Sequence, residues 1–464
     1  MHITLNLVSK NMQLLDLYLF FVVIYSHKWG AIMLKRKILN DLIVWKNTKD
    51  RECLFVKGAR QVGKTFIIEQ FGRENYKNYI YINFFENPNF KNIFEGSLQA
   101  MEIYKKMSLY IPNLKLVPND TLIFLDEIQE CPNARTALKF LAIDNQYDII
   151  ASGSLLGVSY KSVSSIPVGY EKQITMYPLD FEEFLWATGT NEDAISYIKS
   201  FFENKEKVEN GINDEMFKKL REYIVVGGMP EVVNTFIKTN NFNEVHNAQI
   251  KILEDYNDDI IKYAENSEKT KIRKCYNSIP RQLAKENKKF QYGVVEKGSS
   301  SRKFIDSIQW LIDANLVTPV YNVSIPILPL EAYSKEGYFK MYLHDIGLLV
   351  AMYGFDVKKS ILENTLSGPA KGAIYENLMS TMITARGYKA YYYKVEDNSQ
   401  EIEFLITQNS KIIPIEVKAG NSASISLNNF IKEYNPPYAY KFITGNIGVN
   451  NTKITLPLYM AMFI

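Results

Sequence analysis

The sequence predicts an α/β protein whose first domain is a parallel sheet with helices on both faces. A helical region, a winged-helix segment and a second, smaller α/β domain are expected to follow. Three observations predict this. Between Arg51 and Pro178 five short apolar runs alternate with helical stretches, and strands that are apolar throughout are strands covered on both faces. Helix-forming sequence then fills 181–265. From Gly368 a fresh helix is followed by strand-like runs, a further helix and a last strand, the mark of a separate α/β unit.

The strand candidates of the first unit are CLFVKG, YIYINFF, TLIFLDE, YDIIASGS and QITMYPL. In the helical stretch, Gly227-Gly228 reads as a break and Pro230 as a stop. Residues 271–320 change character, with ten Lys or Arg against four Asp or Glu. Two helices, KIRKCYNSIPRQLAKEN and SRKFIDSIQWLIDAN, precede the strand LVTPVYNV there, which is a winged-helix pattern. The last unit offers AKGAIYENLMSTMITARG as a helix, strands AYYYKV, EIEFLIT and KIIPIEVK, a helix near Leu427–Tyr434, and strand AYKFIT. The expected divisions are therefore 1–32, 33–190, 191–270, 271–360 and 361–464.

Composition narrows the class. The chain has 464 residues, enough for two or three cores. It is 47% hydrophobic and 23% charged, an ordinary globular balance that argues against both a disordered chain and a membrane bundle. A net charge of +3 is nearly neutral, so the basic span at 271–320 leaves the remainder slightly acidic. Cys53, Cys131 and Cys275 are far apart and form no C-x-x-C pair. Neither a disulfide framework nor a zinc site is indicated, and a cytoplasmic setting fits. The apolar run Leu14–Tyr25 is too short to span a bilayer and contains Asp16. Residues 1–32 are expected to lie upstream of a start at Met33, which opens the basic amphipathic stretch MLKRKILNDLIVWKN; a membrane tether is the rival reading, and stable membrane insertion is not expected.

The chemistry begins at Gly58-Ala59-Arg60-Gln61-Val62-Gly63-Lys64-Thr65. The octet satisfies G-x-x-x-x-G-K-[ST] between a strand and a helix. Glycines at 58 and 63 let successive backbone N–H groups turn toward phosphate oxygens, and the helix that follows adds partial positive charge. Lys64 is expected to reach the β and γ phosphates of ATP, and the Thr65 hydroxyl to ligate Mg²⁺. A glycine turn with a chance lysine would satisfy the same pattern. The second element is TLIFLDE, an apolar strand that ends in Asp126 and Glu127. Asp126 is expected in the magnesium shell and Glu127 as the general base that polarises water. Ser152 and Ser154, at the end of a third strand, are candidates to sense the γ-phosphate; turns also favour serine.

These blocks resemble a known family. GARQVGKT, LIFLDEIQ, ASGSLLG, SIPVG, MYPLDFEEFL, VVGGMPEVV, DYNDDI, YLHDIGLL, GAIYENL and IEVKAG occur in order. With them the chain resembles the AAA-type ATPases of the AAA_14 class that carry a C-terminal DUF4143 domain. The resemblance implies ATP and Mg²⁺ as cofactors and a sheet with an additional strand. It also implies catalytic roles for Lys64, Glu127 and Ser154, with Thr65 and Asp126 at the metal. Relatives commonly carry a basic residue after P-V-G, where this chain has Tyr170, Glu171 and Lys172. No arginine finger is identifiable; Arg60 and Arg135 are the cis candidates.

Two further expectations concern partners. The basic span 271–320 is expected to approach DNA through Arg302 and Lys303 with Lys288 and Lys289; winged helices also dock proteins, and that alternative stays open. At the C-terminus, Glu376, Glu403, Glu416 and Lys418 resemble in order and spacing the PD-(D/E)XK nucleases, whose E-x-K strand presents a carboxylate and a lysine on one face. Glu403 and Glu416 would bind Mg²⁺, Lys418 would orient water and Glu376 would complete the shell. Glu403 departs from that pattern, because the position is usually Asp.

Overall fold

The computed structural model describes residues 33–49, 51–153, 169–395, 400–420 and 423–464. The reading of 1–32 and the candidate Ser154 lie outside the described residues.

The first unit opens with α1 (Ile38–Lys46) and β1 (Cys53–Lys57), then α2 (Lys64–Asn75), β2 (Asn78–Asn83) and α3 (Ala100–Tyr110). It continues through β3 (Thr121–Asp126), α4 (Pro132–Asp144), β4 (Asp148–Gly153) and β5 (Glu171–Thr175). The five strands form one sheet in the order β2-β3-β4-β1-β5, and every pair is parallel. Strand β4 therefore lies between β1, which leads into the glycine-rich loop, and β3, which ends in the two acids. β3 and β4 are buried along their whole length, which is why each reads as an unbroken apolar run. Leu54 and Val56 face α2, and Phe55 faces α3 and α4 on the other side.

Helices follow: α5 (Phe181–Ala187), α6 (Glu192–Asn204), α7 (Asn210–Val226), α8 (Pro230–Thr239) and α9 (Phe242–Tyr263). Pro230 does not stop a helix; it occupies the first position of α8, where its missing N–H costs nothing. Next come α10 (Lys269–Leu283), α11 (Tyr292–Val295), α12 (Ser301–Asp313), β6 (Val317–Val323) and β7 (Ser334–Leu343). After α13 (Ile346–Tyr353), α14 (Phe355–Leu362) and α15 (Pro369–Ala385), the chain finishes with β8 (Tyr391–Lys394), β9 (Glu401–Gln408) and β10 (Lys411–Val417). α16 (Ile425–Tyr434), β11 (Ala439–Ile443), β12 (Gly448–Asn450) and β13 (Lys453–Pro457) complete it.

The second sheet has eight strands in the order β12-β13-β11-β10-β9-β8-β6-β7. It is mixed: β8–β9 and β9–β10 are antiparallel and β10–β11 is parallel. β6 pairs in parallel with β8, Tyr321 opposite Tyr391, so the β6–β7 hairpin belongs to the C-terminal sheet and the hydrogen bonding crosses the division expected at 360/361. One apolar cluster runs from Leu34 to Ile464 through α2, the helical stretch, α10–α15 and the second sheet. A shared core of this kind ties the nucleotide-loop side of the first unit to the C-terminal half.

Candidate functional site

The glycine-rich loop sits where β1 meets α2. Gly58 has φ 153°, and a Cβ there would lie 2.3 Å from the Met176 carbonyl oxygen, so the backbone passes where no side chain fits. Lys64 is buried; its Nζ donates to the carbonyls of Gly58 at 2.9 Å and Ala59 at 2.8 Å. Burial lowers its pKa to about 8, opposed by the nearby charges of Glu127 and Asp126.

Asp126, at the end of β3, collects hydroxyls. Thr65 Oγ1 donates to its Oδ2 at 2.9 Å, Tyr81 Oη donates to the same oxygen at 3.0 Å, and Ser152 Oγ donates to Oδ1. The serine brought to this acid is thus Ser152, on β4 between β1 and β3. Glu127 adopts a left-handed backbone, φ 53°, unusual for a residue with a side chain. Its carboxylate accepts from Gln129 Nε2. A pocket of about 560 Å³ is lined by the polar Arg60, Gln61, Lys64, Thr65 and Glu127 and by the apolar Leu34, Met176 and Pro230.

Neither cis arginine candidate is loose. Arg60 is ion-paired with Asp259 of α9. The Arg135 guanidinium is buried, pairs with Glu171 at 2.8 Å and stacks 3.9 Å from the Phe55 ring centroid. That is the sheet face opposite α2.

The residues that sequence reasoning did not assign join this site to the rest of the chain. Three residues of α9 grip the loop at 60–61: Asp259 on Arg60, Asp255 Oδ2 accepting from Gln61 Nε2 at 2.8 Å, and Tyr256 Oη donating to the Arg60 carbonyl at 3.0 Å. Tyr256 Oη is also 3.3 Å from His344 Nε2, and His344 Nδ1 is 3.0 Å from the Leu316 carbonyl. Burial draws the His344 pKa down to about 4, so the ring is neutral and has one N–H. That proton sits on Nδ1 facing Leu316, Nε2 accepts, and the single Tyr256 hydroxyl proton serves two acceptors. A second link runs through Asp345. Its carboxylate accepts the Gly228 N–H at 2.6 Å and the Leu348 N–H at 2.8 Å, capping α13. Gly228 in turn lies against Leu179, where a Cβ would be 2.0 Å from the carbonyl oxygen, and Pro230 two residues later lines the pocket. The blocks DYNDDI, VVGGMPEVV and YLHDIGLL contain these residues, but their pairing across the chain has no local signal.

The C-terminal candidates divide. Lys418 Nζ lies 2.9 Å from Glu403 Oε1 and 3.5 Å from Glu416 Oε1. Glu403 Oε2 and Glu416 Oε2 are buried without a hydrogen-bond partner, and burial pushes the Glu403 pKa up to about 7 against the pull of Lys418. Glu376 is engaged elsewhere: Lys288 Nζ at 2.7 Å, Lys340 Nζ at 3.2 Å and Tyr342 Oη at 2.9 Å all donate to it. Among the described residues, no group of three or more His, Cys, Asp or Glu is arranged to hold a metal ion. Of the four basic residues expected to face DNA, Lys288 is turned inward to Glu376 and Lys303 is paired with Glu296. Lys289 lies 3.2 Å over the Tyr338 ring, and Arg302 is exposed.

The loop, the buried lysine and the acid-terminated strand on a parallel sheet with a strand between them define a P-loop nucleoside triphosphatase domain. The comparisons agree: residues 50–185 match the AAA domain family AAA_14, 217–359 match the domain of unknown function DUF8612, and 371–460 match DUF4143. The chain therefore carries an AAA_14 P-loop ATPase domain followed by DUF8612 and a C-terminal DUF4143 domain. The DUF8612 stretch, not anticipated from the sequence, spans the division expected at 270/271. No curated protein matches the chain. Among solved structures, a Walker-type ATPase of Pyrococcus abyssi is 12% identical, with 69% of this chain and 96% of that chain covered and a TM-score of 0.41. The Aeropyrum pernix ORC1 protein, solved in complex with DNA, is 12% identical over 69% of this chain and 93% of that one, with a TM-score of 0.29. Cdc6p of Pyrobaculum aerophilum is 12% identical over 71% and 94%, with a TM-score of 0.26. No helix among the described residues is long and apolar enough to cross a membrane.

Proposed function

We propose that this chain is an ATP hydrolase that acts as a switch, its nucleotide state passed to the C-terminal half through α9 and Asp345. The observation that carries the proposal is the convergence of Lys64, Thr65 and Glu127 on one pocket, with Asp126 joined to it through the Thr65 hydroxyl. The residues fit the nucleotide and its cation. Thr65 and Asp126 now satisfy each other at 2.9 Å, the donor set a magnesium ion takes, and Lys64 rests on loop carbonyls it can leave for phosphate oxygens. Bound Mg²⁺ would neutralise charge on the β and γ phosphates. Lys64 supplies a fixed positive charge to the same oxygens, and the loop amides orient them. Glu127 holds the attacking water and takes its proton at the carboxylate, while Gln129 fixes that carboxylate's direction. Leu34, Met176 and Pro230 provide the apolar walls suited to a base. The test is paired: Lys64→Ala should lose nucleotide binding, whereas Glu127→Gln should keep it and slow turnover by roughly 10²–10⁴-fold. Parental turnover in Glu127→Gln would sink the assignment.

A second reading adds nuclease-like chemistry at the C-terminus. It is favoured by the partnerless Glu403 and Glu416 oxygens beside Lys418. The element order α15-β8-β9-β10-α16-β11 around them supports it as well. There Glu403 and Glu416 would hold a magnesium ion that activates water, and Lys418 would orient that water. Glu376, already neutralised by Lys288 and Lys340, serves as a buried counter-ion and not a ligand. Magnesium-dependent cleavage of plasmid DNA lost in Glu416→Ala would support this reading, and cleavage that survives would refute it. Nucleic acid is the partner we propose for the switch, on the strength of the basic balance in 271–320, and its three scattered cysteines favour a cytoplasmic setting.

A further inference from the structure

The basic residues of the middle segment are not spread evenly over its surface. α10 and its C-terminal extension, residues 269–285, contain Lys269, Lys271, Arg273, Lys274, Arg281 and Lys285 and no acidic residue. The apolar side of the helix, Ile272, Cys275, Tyr276, Ile279 and Leu283, is buried in the main core. Outward from the helix stand Arg273, Asn277 and Arg281, successive i, i+4 neighbours that follow one another along its exposed side beside Thr270 and Lys274. At about 1.5 Å per residue this stripe is roughly 12 Å long.

Its cations are available. Among the described residues no carboxylate pairs with Lys269, Arg273 or Arg281, whereas Lys271 and Lys274 are tied to Glu268 and Glu296. Arg273, Asn277 and Arg281 line a groove of about 280 Å³ together with Thr270, Lys274 and Val295. α12 presents a different face. There Arg302 and Lys303 alternate with Asp306 and Asp313, and Lys303 is paired with Glu296.

We propose that the α10 stripe is a nucleic-acid backbone site, with Arg273 and Arg281 on phosphates and Asn277 hydrogen-bonding between them. The proposal rests on the nucleic-acid partner of the preceding section and is independent of ATP hydrolysis. Three features select this ligand. A linear array of cations matches a linear polyanion, since duplex DNA carries one charge per about 1.7 Å of axis. Arg and Asn are residue types that contact phosphate oxygens. The stripe has no exposed aromatic or large aliphatic side chain of its own, the feature by which protein partners and bilayers gain most of their binding energy.

The test uses the full chain and fluorescence anisotropy on mixed-sequence single-stranded and duplex DNA over a salt series. The double variant Arg273→Gln/Arg281→Gln removes two exposed charges, so its thermal unfolding and basal ATPase should match the parent. Each phosphate contact contributes about 0.9 to the log–log salt slope on duplex DNA, so the slope should fall by about 1.8 and affinity near 0.1 M salt should drop on the order of 60-fold. Arg302→Gln/Lys303→Gln should leave the slope within a few tenths of parental. Three results would overturn the proposal: no DNA binding by the parent near 50 mM salt, loss in the α12 variant with none in the α10 variant, or parental DNA affinity in the α10 variant. Polyglutamate and phosphatidylserine vesicles are the remaining probes. Capture by either that depends on Arg273 and Arg281, with DNA affinity unaffected, would reassign the stripe to an acidic protein or a lipid surface. The first of these failures leaves the ATPase assignment standing, because Glu127→Gln tests that separately.

Discussion

Lys64 gives the nucleotide site a pH dependence that can be worked out in advance. Burial holds its pKa at about 8 in the nucleotide-free protein, with only Glu127 and Asp126 resisting. A triphosphate placed against Nζ returns the ammonium to at least its ordinary value of 10.5. The bound form then carries more proton than the free form above about pH 8, so affinity must fall as pH rises through that value. At about pH 7 roughly nine-tenths of the free protein has Lys64 charged, and at about pH 9 roughly one-tenth. ATP affinity should therefore weaken about tenfold between these conditions, with proton uptake rising from about 0.1 to about 0.9 per ATP bound. Calorimetry in buffers of different ionisation enthalpy measures that uptake directly. Phosphate groups do not confuse the window, since their second ionisation lies near 6. Lys64→Arg, whose guanidinium stays charged throughout, should show a flat profile even if it binds weakly. Parental affinity that is unchanged up to about pH 9, with no buffer-dependent heat, would refute the position assigned to Lys64.

Two further predictions concern the route out of the site. Asp345→Ala leaves the buried N–H groups of Gly228 and Leu348 without acceptors, each worth about 1–3 kcal/mol, so urea unfolding should show a loss of roughly 2–6 kcal/mol; a loss below about half a kilocalorie would mean water replaces the carboxylate. Tyr256→Phe removes the only proton shared by the Arg60 carbonyl and His344. It should cost about 1–2 kcal/mol of stability and lower ATP affinity while leaving the Lys64 pH profile in place, whereas parental affinity in this variant would uncouple α9 from the loop.

Much of the fold could be read because the relevant signals are local. β1, β3 and β4 are buried on both faces, and a strand so buried has no polar alternation to hide it. The loop 58–65 announces itself because a backbone that turns its amides inward needs glycine at fixed places. What stayed hidden depends on contacts between distant residues. β7 begins with five partly or fully exposed residues before its buried end, so it has neither period, and it becomes a strand only by pairing with β6. Pro230 carries the same residue type whether it ends a helix or begins one; the turn before it is held by the Gly228–Asp345 bond, between residues 117 apart. The grip of Asp255 and Asp259 on positions 60–61 spans almost 200 residues. Glu376 illustrates the converse. Its spacing to Glu403 and Glu416 suggests a common ligand set, yet Lys288 and Lys340, which precede its helix by many residues, reach it first.

The switch is tested most directly by hydrogen exchange on Glu127→Gln, which should retain ATP, compared with and without the nucleotide. Altered protection is expected in two places at once: the loop at 58–65, and the Gly227-Gly228 turn with the start of α13 at Asp345–Leu348, which has no lining position in the pocket. Changes confined to the loop and pocket, with 227–228 and 345–348 exchanging identically in both states, would contradict it.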